Sequence, residues 1–199
     1  MFFVLVTIAA LGLALVRGLP IEALVRGPFR LWPLAVIGIL LHVAVNLAVL
    51  SPFLSVRPSP PGLFLGAWLY LASLICVGSF LLANARYPGF VILLAGLGMN
   101  FTVIALNGGQ MPGDPNQYAA SGFLTAIAQR SAAGQWWPFV PIGSATRLAW
   151  LGDRIMVPLP FREPVVISVG DLVIALGCLI FFNYPAGRRS RHSQVRSLR

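Results

Sequence analysis

The chain has 199 residues, of which 58% are hydrophobic and 10% charged, with a mean hydropathy of +0.85 and a formal net charge of +9. Soluble domains carry about 25% charged residues, so this composition lacks the polar surface to dissolve a globule and excludes an ordinary soluble fold. The excess of arginine does not indicate nucleic-acid binding, because the arginines flank apolar runs and cluster in the tail as Arg188, Arg189, Arg191, Arg196 and Arg199; that placement suits membrane orientation and anionic headgroups.

A spanning helix needs about 20 mostly apolar residues. In chain order the candidates are 1–16, 31–50, 63–83, 90–106 and 165–183. The first lacks the basic n-region and small-residue cleavage site of a signal peptide and is read as a retained span. Together they predict an all-α fold, a bundle of five transmembrane helices within one domain (1–187), with a structured loop at 107–164 and a basic tail at 188–199.

The connections set orientation. Arg17, Arg26 and Arg30 against Glu22, then Arg86, then the tail, lie on one side. Arg57 stands alone among prolines, and the long loop offsets Arg130, Arg147, Arg154 and Arg162 with Asp114, Asp153 and Glu163. The positive-inside rule then places the N-terminus outside, the C-terminus in the cytoplasm and the loop on the extracytoplasmic face of a bacterial inner membrane.

Trp32, Trp68, Tyr87 and Tyr184 fall near span ends and read as interfacial anchors. Gly62, Gly66, Gly96 and Gly98 permit close helix approach. Cys76 and Cys178 lie in apolar runs without metal-ligand spacing, so no metal, cofactor or disulfide is expected. His42 and Asn46 share a helix face at i, i+4, and Asn100 lies in the fourth span. Polar groups in lipid should face the bundle interior and bond between helices.

Loops beyond about 15 residues are uncommon unless functional or disordered, and this one is too aromatic for disorder. Phe123, Leu124 and Ile127 at helical spacing predict an amphipathic helix on the bundle, followed by an aromatic, proline-rich stretch at 135–141 at headgroup level. Asn107-Gly108-Gly109-Gln110-Met111-Pro112 closes the fourth span with helix-stopping residues, although a backbone nest for a ligand is the alternative. In Trp150-Leu151-Gly152-Asp153-Arg154, Asp153 is expected to pair locally with Arg147 or Arg154. Ser168-Val169-Gly170-Asp171 has the capping-box pattern, in which serine and acid satisfy orphan amides at a helix start.

The order of these motifs resembles an uncharacterised bacterial membrane family, domain of unknown function 5317. The shared features are the NGG-x-MP helix end, Thr146 with Leu148 to Asp153, a Pro-Leu-Pro turn, and Ile167 to Asp171 running into Leu-Val-Ile-Ala-Leu-Gly. The resemblance implies the same topology and no known activity, and it draws attention to Asn107, Gly108, Gly109, Met111, Pro112, Gly152, Asp153, Gly170 and Asp171.

Two functions follow. The favoured one is a non-catalytic membrane protein whose loop binds a lipid, a small apolar molecule, a membrane partner or a second copy of the chain. The alternative is an aspartic intramembrane hydrolase: Asp153 and Asp171 are separated by a loop entering the last helix, similar to the aspartate pair of lipoprotein signal peptidases. The Asn-x-x-Asp-Arg segment of those peptidases is not matched. A small transporter is a further alternative, with few ionisable groups in the spans to form an ion path.

Overall fold

The computed structural model describes residues 2–18, 29–47, 50–56, 63–159 and 162–183 and is mostly helical. Glu22, Arg26, Arg57, Gly62, Pro160, Tyr184 and the arginine tail lie outside the described residues. The apolar runs form α1 (Phe2–Val16), α2 (Trp32–Asn46), α4 (Leu65–Ala83), α5 (Phe90–Leu106) and α8 (Val169–Asn183); α3 (Ser51–Leu54) is a single turn. The second run was expected to stay helical to 50, yet α2 stops at Asn46 and the backbone turns extended at Leu47.

Among the described residues α4 is long and apolar enough to cross a membrane, whereas α1, α2, α5 and α8 are apolar but shorter. At about 1.5 Å per residue, the 15 residues of α2 and of α8 reach about 22 Å before flanking residues are added. The helices pack in the order α2, α4, α5, α8, α1. Large apolar side chains stay exposed along this row, including Leu40, Ile75, Leu82, Val91 and Leu176.

The α5–α8 contact is antiparallel and close. Gly96 lies against the backbone of Gly170, and Gly89 against that of Gly177, so a Cβ at Gly96 would sit 2.6 Å from the Gly170 carbonyl oxygen. Backbones approach this closely only where side chains are absent, which is the packing mode available to helices in lipid. Gly98, expected to share that role, has open space around it.

The long loop folds into a cap with its own secondary structure. Met111–Gly113 (β1) pairs in parallel with Phe139–Pro141 (β2), and Ile155–Leu159 (β3) pairs antiparallel with Arg162–Ile167 (β4). Neither ladder is among the sequence expectations; the three-residue strands β1 and β2 leave no alternating pattern to detect. Between β1 and β2 lie α6 (Pro115–Ala120), capped by the Asp114 side chain on the Asn116 N–H, and α7 (Phe123–Ala132), with Ile127 facing inward.

Trp136 is 1% exposed and joins a core with Val45, Ala67, Leu71 and Val103. A Cβ at Gly66 would overlap its ring, so Gly66 accommodates the cap rather than a neighbouring helix. The Trp136 backbone N–H donates to Ser55 Oγ at 2.8 Å, and this fixes the cap against the segment after α3. Trp32 and Trp68 are exposed, while Tyr87 packs against Phe29 and Phe90.

Candidate functional site

Asp171 stands in the first turn of α8, where the chain leaves β4. Its Oδ2 accepts the Ser168 N–H at 2.9 Å, and its own N–H donates to Ser168 Oγ at 3.0 Å, a reciprocal cap. Its Oδ1 accepts Asn100 Nδ2 from α5 at 2.8 Å, and the Ser168 hydroxyl donates to Asn100 Oδ1 at 3.0 Å. All three side chains are buried, so the network bridges α5 and α8 within the bundle. A Cβ at Gly170 would overlap Asn100 Oδ1, which explains why the residue beside the acid carries no side chain.

Asp153 follows the 3₁₀ turn Ala149–Leu151. It is 4% exposed and so is not the surface ion pair expected from its neighbours. Arg154 instead faces Asp114 at 4.0 Å. The Asp153 backbone bridges to the edge of β1: its N–H donates to the Pro112 carbonyl and its carbonyl accepts the Asp114 N–H, each at 2.8 Å. Gly152 makes that contact possible, since a Cβ there would overlap the Pro112 carbonyl oxygen. The Tyr118 hydroxyl donates to Asp153 Oδ2 at 3.0 Å.

The electrostatics tie the two acids together. Burial first, and the negative charge of Asp171 second, hold the Asp153 carboxyl well above the usual carboxylate range, against the opposing effect of the Tyr118 hydroxyl bond. Burial and the nearby Asp153 charge likewise raise the Tyr118 phenol, which keeps it a donor. Buried Tyr70 of α4 lies within electrostatic reach of both acids and of Tyr118. Two buried polar networks result, Asp171 with Ser168 and Asn100 between α8 and α5, and Asp153 with Tyr118 of α6, close enough for the charge of Asp171 to act on Asp153.

The other residues singled out from the sequence lie elsewhere. Asn107 clamps the cap to the end of α5: its Nδ2 donates to the Val103 and Arg147 carbonyls, and its Oδ1 accepts the Arg147 N–H. Gly108 and Gly109 carry positive φ after the helix, and Met111 and Pro112 are buried in β1. Asn46 bonds the carbonyl of His42 in its own helix, and the His42 ring faces Tyr70 at 5.4 Å. Among the described residues no three His, Cys, Asp or Glu side chains gather where they could hold a metal.

Three structurally placed residues carry no signal in the sequence. Tyr118 and Asp153 are 35 positions apart and Tyr70 belongs to an apolar run, so nothing local marks either as a partner. Asn84, fully buried, accepts the Arg30 N–H and donates to the Arg30 carbonyl, joining the segment before α2 to the end of α4.

A model described as a family of unknown function, DUF5317, matches residues 28–183. The chain belongs to this family. An uncharacterized protein of Thermotoga maritima is 28% identical over 127 residues, covering 62% of this chain and 67% of the relative. No solved structure matches the chain. The matched segment of the DUF5317 chain takes in both aspartates, Asn100 and the whole cap.

Proposed function

We propose that this DUF5317 protein is a five-span membrane protein with an extracytoplasmic cap, and that Asp153 and Asp171 form the acid–base pair of a hydrolase acting on a membrane-embedded ester or amide. The observation that carries the reading is the burial of both acids, with the charge of Asp171 acting on the Asp153 carboxyl. Of five acidic residues in the chain, two are buried at one boundary of an apolar bundle, and the charge of one raises the proton affinity of the other. Stability alone does not call for this, because burying carboxyl groups is unfavourable unless they are paired and hydrogen-bonded.

The hydrogen bonds divide the roles. Asp171 receives N–H donors on both oxygens, a pattern that suits an ionised carboxylate and a general base. Asp153 receives a hydroxyl on Oδ2, and its raised proton affinity suits a general acid. In the step that follows, water oxygen attacks the carbonyl carbon while Asp171 takes the water proton; Asp153 then gives its proton to the leaving oxygen or nitrogen as the carbonyl–heteroatom bond breaks. Asn100 and Ser168 hold Asp171, and Tyr118 holds Asp153.

The non-catalytic binding protein is the second reading. It is favoured by the full occupation of Asp171 in the cap of α8, since a residue with a complete structural role needs no reaction to explain it. Purified protein in lipid nanodiscs, incubated with membrane lipoprotein precursors and with lipid esters, separates the two. The hydrolase reading expects cleavage by the wild type and its loss in Asp153→Asn and Asp171→Asn proteins that still melt cooperatively. An inert wild type, or folded variants that cleave as well as it does, would leave the binding reading.

A further inference from the structure

Along its whole length α5 exposes Val91, Ala95, Gly98, Thr102 and Leu106, which are spaced three or four residues apart and so share one face. Under the five-span reading that face meets lipid. At its outer end it runs into Asn107, whose side chain bonds both the N–H and the carbonyl of Arg147 at 2.9 Å. The 3₁₀ turn Ala149–Leu151 packs on the same helix. The segment from Arg147 to Trp150 is thereby fixed at the depth where a spanning α5 leaves the hydrocarbon.

The side chains of this segment divide. Leu151 joins the core, whereas Leu148 and Trp150 are 37% and 59% exposed. Leu148 also holds a left-handed backbone at φ 51°, which is unfavourable for a bulky side chain. The Asn107 bonds to Arg147 and the Leu151 N–H bond to the Leu148 carbonyl maintain that strain, and the result is two large apolar groups set outside the core. Arg147 beside them is exposed and forms no ion pair among the described residues. This side-chain set suits the headgroup layer, where an indole is favoured and a guanidinium bonds phosphate oxygens in pairs.

We propose that Arg147, Leu148 and Trp150 form a wedge that docks the cap on the bilayer surface, with Leu148 and Trp150 at the boundary of headgroups and acyl chains and Arg147 on the phosphate of an anionic lipid. The inference rests on the reading of α5 as a span, and it holds whether or not Asp153 and Asp171 react. The wedge leads through Leu151 and Gly152 directly into Asp153, so the lipid contact anchors the segment that carries this acid.

With Cys76 and Cys178 replaced by alanine, the full chain carrying Leu148→Cys, Trp150→Cys or Ala95→Cys is labelled with a fluorescent dye and reconstituted in phosphatidylcholine vesicles with or without phosphatidylglycerol. The Leu148 and Trp150 labels should be quenched by a lipid spin-labelled near its headgroup, and severalfold less by aqueous iodide than the free dye. The Ala95 label should respond to a lipid spin-labelled deep in its acyl chain. Phosphatidylglycerol should increase the shielding of the Leu148 label, and Arg147→Gln should abolish that increase. Full iodide quenching at both cap positions while Ala95 stays deep overturns the wedge and leaves the span standing, whereas iodide quenching at Ala95 as well overturns both. Shielding from iodide without quenching by either lipid means that protein covers the segment, and shielding indifferent to phosphatidylglycerol removes the role of Arg147; each overturns the proposal.

Discussion

Trp136 is the residue through which the cap is seated on the bundle, and its truncation offers the sharpest test of that architecture. Replacing a buried tryptophan by alanine costs about 3–5 kcal/mol through lost contacts and the cavity left behind. Here a compensating gain operates, because Trp136 Nε1 is buried without a hydrogen-bond partner among the described residues. Relieving such an orphan donor returns about 1 kcal/mol. The net loss for Trp136→Ala is then about 2–4 kcal/mol. Trp136→Phe keeps most of the ring and removes the orphan N–H, so it should fall within about 1 kcal/mol of wild type. Gly66 supplies the complementary change: Gly66→Ala places a Cβ into the Trp136 ring and should destabilise the wild type, yet do far less harm in a Trp136→Ala background. Unfolding in mixed micelles measures the wild type and the four variants, and limited proteolysis within 107–164 reports whether the cap loosens first. A Trp136→Ala protein as stable as wild type, or additive effects of Gly66→Ala and Trp136→Ala, would refute the seating of Trp136 against α4.

Asp171→Asn places an amide NH₂ where the carboxylate meets either the Ser168 N–H or Asn100 Nδ2; unfolding should show a loss of about 1–3 kcal/mol, and Asp171→Ala, which deserts both donors, about 3–5 kcal/mol. Asp153 makes stability depend on pH. Because its folded carboxyl binds a proton more tightly than the unfolded one, its contribution is full below the ordinary carboxylate range of about 3.9 and is lost as pH rises through the raised folded value. Melting curves should therefore show Asp153→Asn gaining on wild type as pH rises from 4 to 8, and a constant difference across that range would count against the burial. Under the hydrolase reading, turnover also declines as pH rises through the Asp153 value, since the acid must hold its proton. Single cysteines at Ser131, exposed on α7, and at Ser190 in the tail should be labelled from opposite sides of the membrane; labelling from one side overturns the five-span topology.

What the sequence determines by itself is what depends on local composition. Apolar runs of helical length, Pro33 in the first turn of α2 and the glycines after α5 declare helices and their ends from adjacent residues alone. The serine and acid of the α8 cap are legible for the same reason, since Ser168 and Asp171 are three residues apart and bond each other. Partners distant in the chain leave no such mark. Asp153 reads locally as a surface acid beside an arginine, and only the bridge to β1, with Tyr118 delivered by α6, buries it. Asn100 reads as a polar residue in search of a neighbour, and only the glycine-lined approach of α8 to α5 supplies Asp171. Trp136 reads as an interfacial ring, and only the gap at Gly66 draws it into the core. Propensity and capping are short-range and are written into neighbouring residues, whereas burial and the charge one carboxyl feels from another depend on which distant segments share a volume, and tertiary packing alone decides that.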